Sequence, residues 1–465
     1  GVDSYMDITN NKQLFKNMII SVIAQGVSLL TSTLLMLLIP KILSIYNYSQ
    51  YQSYALYIGY VGIILFGILD GIILRYSKYD YDKLDKNNMR FQFIAILIIC
   101  IFWAVIMIFV AIMMKNRLII FLGIGIVIKN IYTFCSYIFQ LTNRIYNYAL
   151  IVIVDRLIYA LCIIVIVYFK LNKYEYIVCA DLFSDLITII ACVVFDSKLY
   201  IGKIKNIMSC FKELLKNAKS GIKLMISNIS NALIIGIAKV MIKSIWGAII
   251  FAKVAFGFSV SGIIMSFVSA ISVVLFPSFR RVETNSLKNN YKNIRFKLNI
   301  FLYFMLASYF PLSIFLNHYI PQYSESIIYL SFLFPINIFD AKNSLLINNY
   351  LKSFRKETYM FKVNICTFII SVLLFTLIAI SNNIYFFLML LILIVMIKSM
   401  ILENKIAKIC EIKLTKEHLL DGMMVVFFIV LTFIFNELLG FTIYITVCIL
   451  FVSVIFLKKR KGANI

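Results

Sequence analysis

The sequence predicts an all-α, polytopic membrane protein with about fourteen transmembrane helices. Three observations lead there. Of 465 residues, 62% are hydrophobic and only 14% charged, where a soluble domain carries about a quarter charged. Mean hydropathy is +0.94. Apolar runs of about 20 residues recur along the chain, the length of helix that crosses a hydrocarbon core. They lack the strict alternation of a membrane strand, and five Pro and 17 Gly leave room for long helices.

In order, residues 1–16 are polar. The first six spans fall at 17–43, 51–74, 91–114, 117–140, 147–169 and 174–195. The first apolar run is too long for a signal-peptide core. A basic connection follows at 196–218, with Ile201, Ile204, Ile207, Met208, Phe211, Leu214 and Leu215 spaced for an amphipathic helix on the inner surface. Spans seven and eight, 219–243 and 248–277, flank a short joint, Ser244-Ile245-Trp246-Gly247. The rest are 295–317, 326–348, 359–381, 384–403, 420–437 and 439–457; the thirteenth opens near Asp421 and ends at Glu437.

Lys and Arg set the orientation. Of 45, 33 lie in one alternate set of connections and six in the other. That bias places both termini in the cytoplasm of a multi-pass cell-membrane protein. The net charge of +24 then meets anionic headgroups rather than nucleic acid. The nine Cys are scattered without a C-x-x-C pair, and His318 and His418 share no ligand spacing with them. Neither a metal site nor a disulfide framework is expected.

The long inward connection divides the chain into a first lobe at 1–195, a linker at 196–218 and a second lobe at 219–403. Residues 404–465 add helices 13 and 14 and a basic tail. The lobes share a weak pattern. PKILSIYNYSQYQSYAL and AKVMIKSIWGAIIFAKVAF each place a Lys late in an apolar helix before a short aromatic joint, and the next spans end near Arg75 and Arg280. Internal repeats of this kind are common in transporters.

Four stretches carry a family resemblance: VLFPSFRR (274–281), IWGAIIFAKVAF (245–256), FGILDGIILRY (66–76) and NNYLKSFRKETYMFKVN (348–364). Together, in this order, they resemble polysaccharide repeat-unit flippases of the Wzx type, within the multidrug/oligosaccharidyl-lipid/polysaccharide exporter (MOP) superfamily. The resemblance spans about residues 12–457. It implies two six-helix lobes in a V around a central cationic cavity, with two C-terminal helices added. It also implies a substrate: an oligosaccharide repeat unit on a polyprenyl diphosphate, moved from inner to outer leaflet.

Charges inside the spans are the candidate site residues, since each costs about 2.5–3.5 kcal/mol at mid-bilayer unless it is paired or wet. Lys239 and Lys253 lie in spans seven and eight, and Lys41 late in span one. They either form a cationic patch for diphosphate or acidic sugar, or snorkel to the outer headgroups. Lys129, near mid-depth in span four, either pairs with a carboxylate or lines the cavity. Arg156 and Asp185 fall at similar depth on spans five and six, which suggests an ion pair. Asp181 shares the Asp185 face, and Asp155 points away from Arg156. Asp70, Asp340 and Lys342 are gate or ion-pair candidates near the inner side. Lys398 is expected to snorkel.

The leading reading is a flippase for lipid-linked oligosaccharides, working by alternating access in surface polysaccharide biosynthesis (O-antigen, capsule or exopolysaccharide). A lipid II flippase or a cation-coupled multidrug exporter of the same superfamily are the alternatives. Span one holds no carboxylate, unlike the resembling drug exporters. A membrane polysaccharide polymerase would need a sizeable outward loop, and all outward connections are short. No Gly-rich phosphate loop ending in Lys-Ser or Lys-Thr is present. No catalytic residue and no cofactor are expected. The partners are the lipid-linked oligosaccharide, membrane lipids and other polysaccharide assembly proteins.

Overall fold

Helix follows helix through the described residues, which contain no strand. The structure is a computed structural model that describes residues 23, 26–77, 79–142, 144–281 and 284–462. Nine helices are long and apolar enough to cross a membrane among these residues, or ten if one bent pair counts as a single span. The protein is a polytopic, all-helical membrane protein. It divides into two compact units, Gly1–Ala232 and Leu233–Ile465.

The first unit holds α1 (Gly26–Ile42), α2 (Ile45–Ile58) and α3 (Ile68–Tyr76), then α4 (Lys86–Met113), α5 (Arg117–Leu141), α6 (Ile145–Tyr168) and α7 (Tyr174–Phe195). Short polar residues start several of them. The side chains of Ser44, Asp85 and Asn116 accept hydrogen bonds from the first free amides of α2, α4 and α5. The α4 face bearing Ile98, Phe102 and Val105 is about 61% exposed, which suits lipid rather than water. The opposite α4 face packs Ile96 and Cys100 with Phe134 and Ile138 of α5.

The run expected as one helix over 51–74 is broken. A 3-10 turn, Val61–Leu65, separates α2 from α3, and the pair bends by 65°. Phe66 at φ 48° and Gly67 at φ 81° carry the turn, and left-handed backbone ends a helix. After the short α8 (Ser197–Tyr200), α9 starts at Ile207 and runs to Arg281, with Gly247 at φ 84° and ψ 178° breaking it. The break falls in the joint expected at 244–247. Residues 207–232 of α9 belong to the first unit.

There, α3 and the start of α9 approach backbone to backbone. A Cβ on Gly71 would lie 1.9 Å from the Asn217 carbonyl oxygen, and one on Gly221 2.0 Å from the Gly67 oxygen. Such contact needs small residues. Arg75 closes it, its Nη2 2.5 Å from Glu213 Oε2 and its Nη1 2.5 Å from Asn217 Oδ1. In the linker, Cys210 and Leu214 turn inward, while Ile207, Met208, Phe211 and Leu215 are exposed.

The second unit continues with α10 (Thr284–Ala307), α11 (Tyr309–Tyr319), α12 (Ser326–Lys342), α13 (Asn348–Ser353), α14 (Glu357–Ala379), α15 (Ile384–Ile409), α16 (Thr415–Ile434) and α17 (Glu437–Gly462). A π-helical turn, Asn343–Ile347, joins α12 to α13. The tenth span therefore extends past 348 with a wound-out turn just after Lys342. Tyr309, Phe310, Phe428 and Tyr444 form a fully buried aromatic knot among α11, α16 and α17.

Candidate functional site

Among the described residues, three groups of charged side chains inside the helices stand out, each within one unit. In the first unit, Lys129 on α5 faces α7. Asp181 and Asp185 are one turn apart there, so both carboxylates meet the same neighbour. Lys129 Nζ lies 2.7 Å from Asp181 Oδ2 and 2.6 Å from Asp185 Oδ2. The anticipated Arg156–Asp185 pair gives way to these contacts, because the Lys129 stem reaches across the α5–α7 contact. Arg156 instead has its Nε 3.6 Å from Asp155 Oδ2, its neighbour in sequence. The expectation that Asp155 points away from it does not hold. Asp155 and Asp185 side chains are 3% exposed. Three carboxylates therefore face two cations, and this cluster is acid-rich.

The second group lies on α9 in the second unit. Lys253 Nζ is 2.5 Å from Glu325 Oε2, just before α12. Glu325 is 65% exposed and Lys253 only 12%. Lys239 is half-buried, its ammonium 4.5 Å from the centroid of the Phe258 ring. Among the described residues no carboxylate lies within ion-pair distance of Lys239. The ring face interacts favourably with an ammonium. Lys41, at the end of α1 in the first unit, is exposed.

Of the third group, the sequence singled out Lys342 alone, as a gate or ion-pair candidate, and missed its partners. Lys342 of α12 inserts its ammonium between Glu403 of α15 and Asp421 of α16, 2.9 Å from Glu403 Oε2 and 2.7 Å from Asp421 Oδ2. Arg295 of α10 bridges the same carboxylates, Nε to Glu403 Oε1 at 2.6 Å and Nη2 to Asp421 Oδ2 at 2.7 Å. All four side chains are at most 4% exposed. Tyr291 donates to Glu403, and Asn299 and Tyr303 donate to Asp421. His418 Nδ1 lies 3.5 Å from Glu403 Oε2. Two cations and two carboxylates cancel, which is what permits burial at this depth.

The remaining candidates lie apart from these groups. Asp70 is half-buried in the first turn of α3, and Arg75 of that helix goes to Glu213 instead. Asp340 lies near enough to Lys398 for electrostatic attraction. Lys398 is 3% exposed, so it is buried in the helix packing and does not snorkel. The signal for the third group was present: Asp421 inside span thirteen and Lys342 inside span ten both required partners. Arg295 opened span nine, where it counted among the basic charges of a connection, and Glu403 closed span twelve.

No family model matches the sequence, and no curated protein matches it. Solved structures do. MurJ, a lipid II flippase in an inward closed conformation, superposes with a TM-score of 0.63 at 12% identity, over 96% of this chain and 99% of that one. An inward-facing multidrug resistance MATE family transporter of the MOP superfamily gives 0.59 at 12% identity, over 84% of this chain and 98% of that one. The chain has the MOP transporter fold. A further MOP superfamily transporter, from Pyrococcus furiosus, gives 0.55 at 11% identity over 85% and 96%. These fold relatives are a flippase and transporters, not enzymes.

Proposed function

We propose that the protein is a flippase. It moves polyprenyl-diphosphate-linked oligosaccharide repeat units from the inner to the outer leaflet of the cell membrane, for surface polysaccharide assembly, with both termini cytoplasmic. The observation that carries this reading is Lys239: a half-buried ammonium with an aromatic ring beneath it and no carboxylate at ion-pair distance among the described residues. A diphosphate headgroup supplies the missing negative charge. Lys253 is the second donor: its partner Glu325 is 65% exposed, and a solvated carboxylate gives up an ion pair at little cost.

Length supports the lipid-carrier branch over drug export. The MATE structure is covered almost completely yet leaves about a sixth of this chain unmatched, whereas MurJ matches nearly all of it. In alternating access the bound anion must favour one arrangement over the other, or no step follows. Acidic groups such as those around Lys129 would repel the substrate, so Lys129 and Arg156 act as structural or coupling charges.

Lipid II itself is the second reading, favoured by the near-complete MurJ match. The test is replacement of Lys239 and Lys253 by Ala, alone and together, at constant protein level. A charge-assisted contact to phosphate contributes about 1.5–3 kcal/mol, so surface polysaccharide output should fall about tenfold or more. Undiminished output in the double variant removes both from the substrate path. Loss of cell-wall integrity with normal surface polysaccharide would select lipid II.

A further inference from the structure

The third charged group has the donor set of a cation site. Glu403, His418 and Asp421 each offer a ligand atom, and these atoms lie within 4.8 Å of one another. Asn299 and Tyr303 donate to Oδ1 of Asp421, and Tyr291 to Oε1 of Glu403. The ring of His418 is fixed from its other side, Nε2 lying 3.1 Å from Asn404 Oδ1. Ligand atoms oriented by an outer layer of hydrogen bonds are what a bound ion requires.

The position facing these donors is filled from within the chain. Lys342 Nζ contacts Glu403 Oε2 and Asp421 Oδ2 at 2.9 and 2.7 Å. Its side chain is 1% exposed, and it leaves α12 at the last residue before the π-helical turn. Turns of that kind re-aim a side chain and cluster at functional positions. With Arg295 also on both carboxylates, the formal charge of the group is already zero.

We propose that Lys342 is a tethered cation: its ammonium takes the place of a free Na⁺ or metal ion among Glu403, His418 and Asp421. The second unit then holds α10, α12, α15 and α16 together without drawing an ion from either side of the membrane. A free ion would couple the stability of this unit to its concentration; a covalently attached one does not. Removing the ammonium leaves Arg295 against two carboxylates, a site of net charge −1 with an emptied volume. That site takes a small monovalent cation.

The test is thermal melting of the purified full chain in detergent, read by a thiol-reactive dye on its buried cysteines. It is run at constant ionic strength in choline, sodium or methylammonium chloride. Wild type should show no Glu403-dependent difference among the salts. In choline, Lys342→Ala should melt about 10 °C lower, and sodium or methylammonium should recover part of that loss. The double variant Lys342→Met/Glu403→Gln keeps the charge balanced by Arg295 and Asp421, so it should melt above Lys342→Ala and ignore the choice of salt. Three results would overturn the proposal. One is a sodium response of wild type that Glu403→Gln abolishes. Another is Lys342→Ala melting like wild type. The third is a double variant as unstable as the single one with no cation rescue. If Lys342→Ala cannot be purified, the double variant decides: a folded, salt-indifferent protein supports the tethered cation, and failure to fold rejects it.

Discussion

Replacing Gly71 by Ala should loosen the first unit more than any ordinary surface substitution. A methyl group there would sit 1.9 Å from the Asn217 oxygen, 2.5 Å from its carbonyl carbon and 2.8 Å from its Cα. Ordinary contact begins near 3.4 Å, so α3 and α9 must separate by about 1.5 Å. Overpacking costs about 1–3 kcal/mol, and main-chain obstacles put this case at the upper end. Ala favours the helix by about 0.5–1 kcal/mol, which offsets part of it. The separation also pulls Arg75 away from Glu213 and Asn217, both now at 2.5 Å. A net loss of about 2–3 kcal/mol corresponds to a melting point lower by about 5–10 °C. The assay is dye-monitored melting in detergent, with Gly422→Ala as control, since a methyl group there meets nothing within 4 Å. Gly71→Ala melting within a degree of wild type would refute the close packing of α3 on α9.

Other expectations concern the charges. Glu403→Ala leaves Arg295 and Lys342 with Asp421 alone, at sites at most 4% exposed; it should cost about 3–5 kcal/mol, visible as poor yield or a large drop in melting temperature. Lys129→Met leaves three carboxylates facing Arg156 alone and should destabilise strongly, while Lys129→Met/Asp185→Asn should recover much of the loss; equal melting of the two variants would refute the pair. Lys216 and then Arg75 hydrogen-bond Glu213 and hold its carboxyl below the usual range of about 4.5. Its stabilising contribution is therefore complete above that range and lost as pH falls through the lowered folded value. Glu213→Gln should flatten the acid limb of a stability profile below about pH 4.5, and an unchanged limb would count against the contact.

Much of the helical layout was legible because its signals are local. Span six was read at 174–195, the bounds of α7, and the Asn116 cap sits where the fourth span was expected to begin. Gly247 marked the joint in α9 because the apolar pattern itself pauses there. The bend between α2 and α3 was not legible: apolar residues continue through it, and it shows only in the backbone at Phe66 and Gly67. Partner choice was the harder question. Helical spacing put Asp181 and Asp185 on one face, yet spacing on one helix cannot say which neighbour faces it. Packing gave them Lys129 rather than Arg156. The Arg295, Lys342, Glu403 and Asp421 group draws single residues from four helices spread over more than a hundred positions. No motif spans that distance, and only the depth of each charge pointed toward a partner.

The central claim is that Lys239, an ammonium with no carboxylate at ion-pair distance among the described residues, receives the negative headgroup of a lipid-linked saccharide. The most direct measurement is translocation in proteoliposomes loaded with a polyprenyl-diphosphate-linked oligosaccharide, scored by how much sugar becomes accessible to an external glycosidase. Wild-type protein should expose the saccharide beyond protein-free vesicles, and Lys239→Ala should slow it about tenfold or more at equal reconstitution. Equal rates for the variant and wild type, or no transfer by wild type while lipid II is moved, would contradict the account.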